Sequence, residues 1–374
     1  MLSYWEKNSL HKVDTAIIGG GISGLSTAFS LAKRNPKRKI VVLEAGAQPS
    51  GASTKNAGFA CFGSLTEILS DIDQYGLEDT RDLLYKRYKG LEILKNRIPH
   101  HKMDYHEWGG FEILSTENHH AINRLEEVNQ ALDPLFGQRI FSEELELVSS
   151  FGFNPSEAKT VIKNPLEGQL NPYKMIQHLT AQVLELGVSI WYNAKVNSIG
   201  QESPFVLSLP EHPISEISAE KVVVCTNAFS KKLLPEVALN PGRGQVLITR
   251  PIDWLKLKGT FHSDEGYIYF RNVGNRLLIG GARNADFEGE TTTEFGTSKV
   301  IQDRLKHWIE NVILPKTSYE IEHSWSGIMA FGPERRPVIS EPHPGLFVGI
   351  RLGGMGVALG SWLGEELAKK HNAE

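Results

Sequence analysis

Apolar positions along this chain fall into two rhythms. Short apolar runs punctuate it, and between them apolar residues recur every three or four positions. Val13 to Ile18 is a β-branched run with the composition of a strand buried on both faces. Ile22, Leu25, Ala28, Phe29 and Ala32 follow at helical spacing. Lys39–Leu43 is a second apolar strand. The pattern then predicts helices over about 65–97 and 117–132, with a strand over 108–115 between them. Pro172 opens a further helix, faced by Met175, Ile176, Leu179, Val183 and Leu186 and closed by Gly187. Strands are expected at 188–191, 194–199, 220–227, 243–249, 266–271 and 276–280. Gly274-Asn275 makes a tight hairpin between the last two. A helix over about 294–310, a return of the chain through 323–328, a strand at 346–350 and a last helix to about Lys369 complete the chain. Residues 1–12 read as an arm whose Tyr4 and Trp5 pack onto the surface or contact a partner.

The first strand runs straight into Gly19-x-Gly21-x-x-Gly24 and a helix. Gly19 permits the turn. Gly21 lets backbone approach phosphate. Gly24 lets helix and strand pack closely, and the helix N-terminus favours a pyrophosphate. Glu44 ends the second strand, about 20 residues further on, where an acid accepts ribose hydroxyls. A 2′-phosphate would meet a like charge there, so NADP fits poorly. Residues 45–64 form a loop rich in Gly, Ala and Ser. Its backbone N–H groups, Ser53 and Thr54 are placed to wrap a pyrophosphate.

Composition narrows the classes. The 374 residues give material for two or three domains. The formal net charge of −4 provides no basic field for nucleic acid. No apolar run reaches membrane-span length. Cys61 and Cys225 are the two cysteines, too few for a disulfide framework. With charges where a signal peptide needs apolar residues, the expectation is a reduced, cytoplasmic enzyme. His100-His101 and His119-His120 are adjacent pairs whose side chains splay apart, so no metal site is expected.

Several blocks in order resemble the FAD-dependent D-amino-acid, glycine and sarcosine oxidase family. They are Asp14–Ala28, Gly51-Ala-Ser-Thr-Lys-Asn-Ala-Gly58, Leu170-Asn-Pro172, Val222–Ser230, Arg243-Gly-Gln-Val, Trp325-Ser-Gly327 and Gly354-x-Gly356-Val357. The resemblance implies an α/β fold: a Rossmann-type FAD-binding domain interleaved with an α+β substrate domain containing a mostly antiparallel sheet. The FAD-binding domain would take residues 1–75, 150–235 and 323–374. The substrate domain would take 76–149 and 236–322. The expected cofactor contacts are Gly19, Gly21, Ile22, Ser23, Gly24, Glu44 and Ala45, then Gly51, Ala52, Ser53, Thr54, Asn56, Ala57 and Gly58. Val196 is implied near the adenine, and Thr226 and Asn227 near the diphosphate or ribose. Gly354, Met355, Gly356 and Val357 would set a helix N-terminus against the flavin's pyrimidine end.

The resemblance implies oxidation of a C–N bond of an amine or amino acid. Hydride passes to flavin, the imine hydrolyses, and dioxygen or another acceptor takes the electrons. The alternative is a dehydrogenase of the same fold that passes electrons to a quinone or protein. Sarcosine oxidases hold FAD through a cysteine in the C-terminal half. This chain has none after Cys225, so non-covalent FAD is expected, with a Cys61 contact or link to the flavin left open. Relatives that grip an α-carboxylate use an Arg where Met329 stands, and a thioether cannot form that bidentate pair. Relatives acting on γ-glutamylputrescine-like amines also lack that Arg, and this loop looks more like theirs. Tyr267, Tyr269 and Arg271 share one face of their predicted strand. With Met329 they are substrate-side candidates: Tyr267 hydrogen-bonds substrate and Arg271 holds a remote anionic group, or else the tyrosines are core and Arg271 pairs with a sheet-edge carboxylate.

Overall fold

The computed structural model describes residues 3–5 and 11–373. Most of the N-terminal arm lies outside that range. Tyr4 and Trp5, expected to pack onto the domain, are both exposed, with rings edge-on 5.7 Å apart.

Two large sheets organise the chain. The first has five parallel strands in the spatial order Leu346–Ile350, Glu216–Val224, Lys12–Ile18, Ile40–Leu43 and Ser189–Trp191. Ile40–Leu43 and Leu346–Ile350 are buried throughout, as are the carboxyl ends of Lys12–Ile18 and Glu216–Val224, whereas Ser189–Trp191 is partly exposed. Ile17, Val42, Val223 and Phe347 join one apolar cluster, with helices Ile22–Arg34 and Gly356–Asn372. Their strand neighbours Ala16, Ile18, Val41, Leu43, Val222, Val224 and Val348 join another, under Phe205 and Leu207. Period-two alternation thus gives the sheet two apolar faces, each of which must be covered.

The second sheet runs Ile321–Phe331, Asn240–Thr249, Arg276–Gly281, Ile268–Val273, Thr260–Ser263, Gly110–Leu114, Thr160–Asn164 and Ser142–Glu143. It is antiparallel except where Thr260–Ser263 runs parallel to Gly110–Leu114. Leu247, Phe261, Phe270 and Ile279 pack on Ile301 and Leu305 of helix Lys299–Trp308. Val246, Tyr269 and Leu278 turn to the other face, against Ala57 and Phe59. The expected Gly274-Asn275 turn joins Ile268–Val273 to Arg276–Gly281, with Gly274 at φ +56°.

Several elements differ from expectation. The 65–97 helix is two helices, Leu65–Tyr75 and Leu77–Arg97, broken at Gly76 with φ +83°. The 45–64 loop contains a turn of helix, Ala52–Lys55. Of the 194–199 strand, Ser198–Ile199 alone pairs. Strands Thr160–Asn164 and Ile321–Phe331 lie in the second sheet, although the sequence division put them with the first. Helix Leu77–Arg97, which the sequence division gave to the substrate domain, packs on helix Gly356–Asn372. A Cβ on Gly90 would lie 1.8 Å from the Ala358 carbonyl oxygen, so only glycine allows this approach.

Candidate functional site

The glycine turn sits at the carboxyl end of the central strand. Gly19 has φ +107°, and a Cβ there would lie 2.8 Å from the Cys225 carbonyl oxygen. A Cβ on Gly24 would lie 1.9 Å from the Gly19 carbonyl oxygen. Both positions are therefore closed to larger residues, for turn and packing reasons. Gly21 caps helix Ile22–Arg34 without a side-chain hydrogen bond. The Ser53 hydroxyl supplies one, accepting from Ile22 N–H at 3.0 Å. Ser53 thus docks the 51–58 loop onto the helix start. Thr54 differs from expectation: its hydroxyl donates to the Pro49 and Gly51 carbonyls of its own loop. Asn56 is likewise a loop staple. Its amide donates to the Ala52 and Ser53 carbonyls, and its oxygen accepts from Gly58 N–H.

Glu44 is buried at the end of its strand. One carboxylate oxygen accepts from Gly20 N–H at 2.9 Å, the other from Gly46 N–H at 3.0 Å. Burial pushes its pKa up, and these N–H groups oppose that. The Ser50 N–H also acts on this carboxylate, which keeps acceptor capacity for a hydroxyl donor.

At the far end of the first sheet, strand Leu346–Ile350 leads into Arg351 at φ +65°, then Gly353 at +56° and Gly354 at +84°. The Asn227 side-chain oxygen accepts from Arg351 N–H at 3.0 Å, which ties this turn to the one after Glu216–Val224. Helix Gly356–Asn372 begins here, and its first N–H groups have no carbonyl one turn back.

One cavity of roughly 610 Å³ runs from the first turn to the last. Gly19, Gly21, Ile22, Ser23, Glu44 and Ala45 line it. So do Gly51, Ala52, Ser53, Asn56, Ala57, Val196, Thr226 and Asn227, and Gly354, Met355, Gly356 and Val357. Gly24, Thr54 and Gly58 do not; they shape the turns behind its wall. The residues present fit a dinucleotide: a side-chain-free turn, an open helix N-terminus and a carboxylate with spare lone pairs.

Of the substrate-side candidates, Tyr267, Tyr269 and Met329 line the same cavity and Arg271 does not. Tyr267 precedes strand Ile268–Val273 instead of lying within it. Tyr269 stands edge-on to Phe59 at 5.5 Å, and burial pushes its phenol up to about 12. A Cβ on Gly280 would lie 2.6 Å from its ring, so that glycine makes its room. Arg271 is buried behind the wall, donating to the carbonyls of Ala57, Leu170 and Asn272. It pairs with neither a substrate-facing space nor a sheet-edge carboxylate. Burial lowers its pKa to about 10.

The cavity also gathers residues that sequence reasoning did not single out. His262 lies on its wall with Nε2 buried and, among the described residues, without a hydrogen-bond partner, and burial lowers its pKa to about 4. Glu67 and Arg87 form an ion pair at 2.9 Å beside it. Arg283 and Phe331 lie near Met329. These come from separate helices, strands and loops, so no local spacing marks them. Cys61 also lines the cavity, and burial with nearby Glu167 and Glu67 raises its thiol well above the usual range. Among the described residues, no group of three His, Cys, Asp or Glu could hold a metal ion, and no helix is long and apolar enough to cross a membrane.

Comparison with known proteins places this geometry. The family described as FAD dependent oxidoreductase (DAO) matches residues 14–370. A gamma-glutamylputrescine oxidoreductase of Escherichia coli (strain K12) is 27% identical over 286 residues, 72% of this chain and 64% of that protein. A glycine oxidase of Geobacillus kaustophilus is 24% identical over 360 residues, 90% of this chain and 87% of that protein. The crystal structure of a Geobacillus kaustophilus glycine oxidase superposes with a TM-score of 0.75, covering 97% of this chain and 96% of that one at 23% identity. An L-proline dehydrogenase from P. horikoshii superposes with a TM-score of 0.79 at 19% identity, covering 97% and 94%. These structures share the fold.

Proposed function

The chain belongs to the family of FAD-dependent oxidoreductases, and on that premise we propose that it oxidises the C–N bond of an amine or amino acid to an imine. The observation that carries this reading is the single cavity joining the Gly19–Gly24 turn to the Gly353–Gly356 turn. One end offers what a pyrophosphate and ribose need. The other opens between aromatic and thioether side chains, where a small molecule fits.

The helix Ile22–Arg34 N-terminus would take the pyrophosphate, with Ser53 holding the loop over it. Glu44 would accept the ribose hydroxyls. Val196 would lie by the adenine, and Thr226 and Asn227 by the diphosphate or ribose. The helix Gly356–Asn372 N-terminus would face the flavin's pyrimidine end, where its partial positive charge favours an anionic edge. FAD, when bound, supplies the two-electron acceptor for the substrate's C–H bond. The protein's part is placement. Tyr269, Phe59 and Met329, which line the cavity, would wall off water beside the reacting carbon, and Tyr267 would hydrogen-bond substrate. His262 stays uncharged near neutral pH and does not repel a cationic amine. A substrate arriving as the free amine needs no catalytic base.

The acceptor is proposed to be dioxygen, with hydrogen peroxide as product. The test is a panel of amines and amino acids added to the yellow holoenzyme under argon. Loss of flavin colour with at least one member is expected, followed by peroxide on admitting air. Bleaching that air does not reverse, but a quinone does, would make it a dehydrogenase. A panel that bleaches nothing would overturn the reading.

A further inference from the structure

A second hollow, of roughly 120 Å³, lies against the cavity. Asp71 and Tyr75 line it from helix Leu65–Tyr75, and Asp79 and Leu83 from helix Leu77–Arg97. It opens to the surface where Asp79 is exposed. Glu334 and Arg335 stand in its wall and also in the wall of the cavity. Helix Leu65–Tyr75 likewise serves both spaces: Glu67 lines the cavity, and Asp71, one turn later, lines the hollow. Glu334 and Arg335 therefore form the partition between them.

That partition is lightly built. Residues 332–337 join Ile321–Phe331, at one edge of the second sheet, to Val338–His343, at one edge of the first. Among the described residues, none of the six takes part in a backbone–backbone hydrogen bond. Arg351 steadies both ends: a Cβ on Gly332 would lie 2.5 Å from its Cδ, and its Nε donates to the Arg336 carbonyl at 2.9 Å. Arg336 pairs with Asp79 at 2.5 Å. Between these anchors, and among the described residues, the Arg335 side chain has a single polar contact, Nη1 to Asp71 Oδ1 at 2.7 Å. Asp71 is buried, whereas the Arg335 side chain is 32% exposed. A segment without backbone hydrogen bonds opens at low cost. Release of that one contact frees the guanidinium to turn outward, and water in the hollow takes its place on the carboxylate.

We propose that Arg335 is a side door of the cavity, held shut by Asp71, through which dioxygen enters and hydrogen peroxide leaves. With Arg335 turned out, the hollow joins the cavity to the surface by a route separate from the opening that admits an amine. The hollow is small, so it passes molecules of a few atoms and excludes a substituted amine. Dioxygen takes up two electrons and two protons to become hydrogen peroxide, so one molecule must enter and one must leave in each cycle. A second route lets both pass while substrate or product fills the first. This inference rests on dioxygen as the acceptor for what passes, but not for whether the door opens.

The test uses holoenzyme reduced with an equivalent of dithionite, with no amine present, and then mixed with dissolved dioxygen. The rate at which the yellow colour returns is read by stopped flow. Arg335→Met should raise that rate about threefold or more, since passage scales with the fraction of time a door stands open. Asp71→Asn removes the same ion pair from its other side, should raise the rate likewise, and carries the comparison if Arg335→Met does not fold. Arg336→Met, at the neighbouring pair, should raise it much less. Tyr75→Trp fills the hollow and should cancel most of the gain when combined with Arg335→Met. Equal rates in wild type, Arg335→Met and Asp71→Asn would overturn the inference. So would a gain that Arg336→Met reproduces, or one that Tyr75→Trp leaves intact. No amine is oxidised here, so a protein that no amine bleaches still gives the ratio of rates. The expected ratio on a rate too slow for turnover would leave the door standing and overturn the dioxygen reading instead.

Discussion

Arg271 and Ala57 lie 214 residues apart in sequence, yet Arg271 Nε donates to the Ala57 carbonyl oxygen at 2.5 Å. Its Nη2 reaches the Leu170 carbonyl at 3.1 Å. One buried guanidinium thus clips the 51–58 loop, the Leu170 turn and the second sheet together. A Cβ on Gly58 would lie 2.1 Å from the Leu170 carbonyl oxygen and 2.8 Å from Arg271 Nη2, so this junction has no spare room.

Arg271→Met should therefore act through the loop. It leaves the Ala57 and Leu170 carbonyls without these donors, at a cost of about 1–3 kcal/mol for each group left unpaired. The expected outcome is a lower melting temperature and a weaker hold on FAD. Turnover per bound flavin should change little, because Arg271 does not face the cavity. Fluorescence titration of apoprotein with FAD, beside kcat at saturating FAD, checks this. A normal FAD affinity with a raised KM would return Arg271 to the substrate side.

Gly21→Ala tests the other end of the cavity. A Cβ there would lie 2.8 Å from the Ser53 Oγ, the acceptor of Ile22 N–H. Ser53 can swing away, so the apoprotein should lose no more than about 2 kcal/mol, the upper range for a lost helix cap. The methyl remains in the space where backbone must approach phosphate, so FAD affinity should fall at least tenfold. A thermal melt of apoprotein and an FAD titration separate the two effects.

The sequence made the two glycine turns legible because each requirement is local. A turn, a close approach and a helix start occupy about six residues, and Glu44 follows at a fixed distance. Period-two and helical spacing placed most strands and helices for the same reason. What stayed hidden depends on contacts distant in sequence. Arg271 reads identically as a substrate grip or a brace until Ala57 and Leu170 are seen above it. Strand Thr160–Asn164 has a β-branched core, Thr-Val-Ile, but its place in the second sheet follows from pairing with Gly110–Leu114. The break at Gly76 had a local signal, a glycine inside a helical pattern, which the apolar spacing on either side masked. His262 and Arg283 lie in no motif, and only the folded cavity joins them.

Both cysteines bear on how FAD is held. Burial raises Cys61 well above its usual range and Cys225 to about 12, so neither forms a thiolate near neutral pH. FAD held non-covalently should leave with the supernatant when holoenzyme is precipitated in acid. Cys61→Ser should give the same result and remain yellow before precipitation. Flavin absorbance retained in the washed wild-type pellet, and lost in the Cys61→Ser pellet, would show a link at Cys61.

Two buried carboxyls give stability a pH dependence of definite sign. Burial raises Glu112 to about 7 and Glu167 to about 8, from an ordinary 4.5. Thr66 hydrogen-bonds Glu112, and Phe62 and Gly63 N–H donate to Glu167, but neither set offsets desolvation. The folded state therefore holds these protons to a higher pH than the unfolded chain does. Their contribution is complete below pH 4.5, declines as pH rises, and is lost above about 8. Each group adds at most about 1.4 kcal/mol per pH unit to that decline. Glu167→Gln keeps an acceptor oxygen for Phe62 and Gly63 and cannot ionise. It should flatten the fall in urea midpoint between pH 5 and 8 and leave the variant more stable than wild type at the upper end. An unchanged slope in Glu167→Gln would mean that Glu167 is ionised in the fold, with another cation drawn to it.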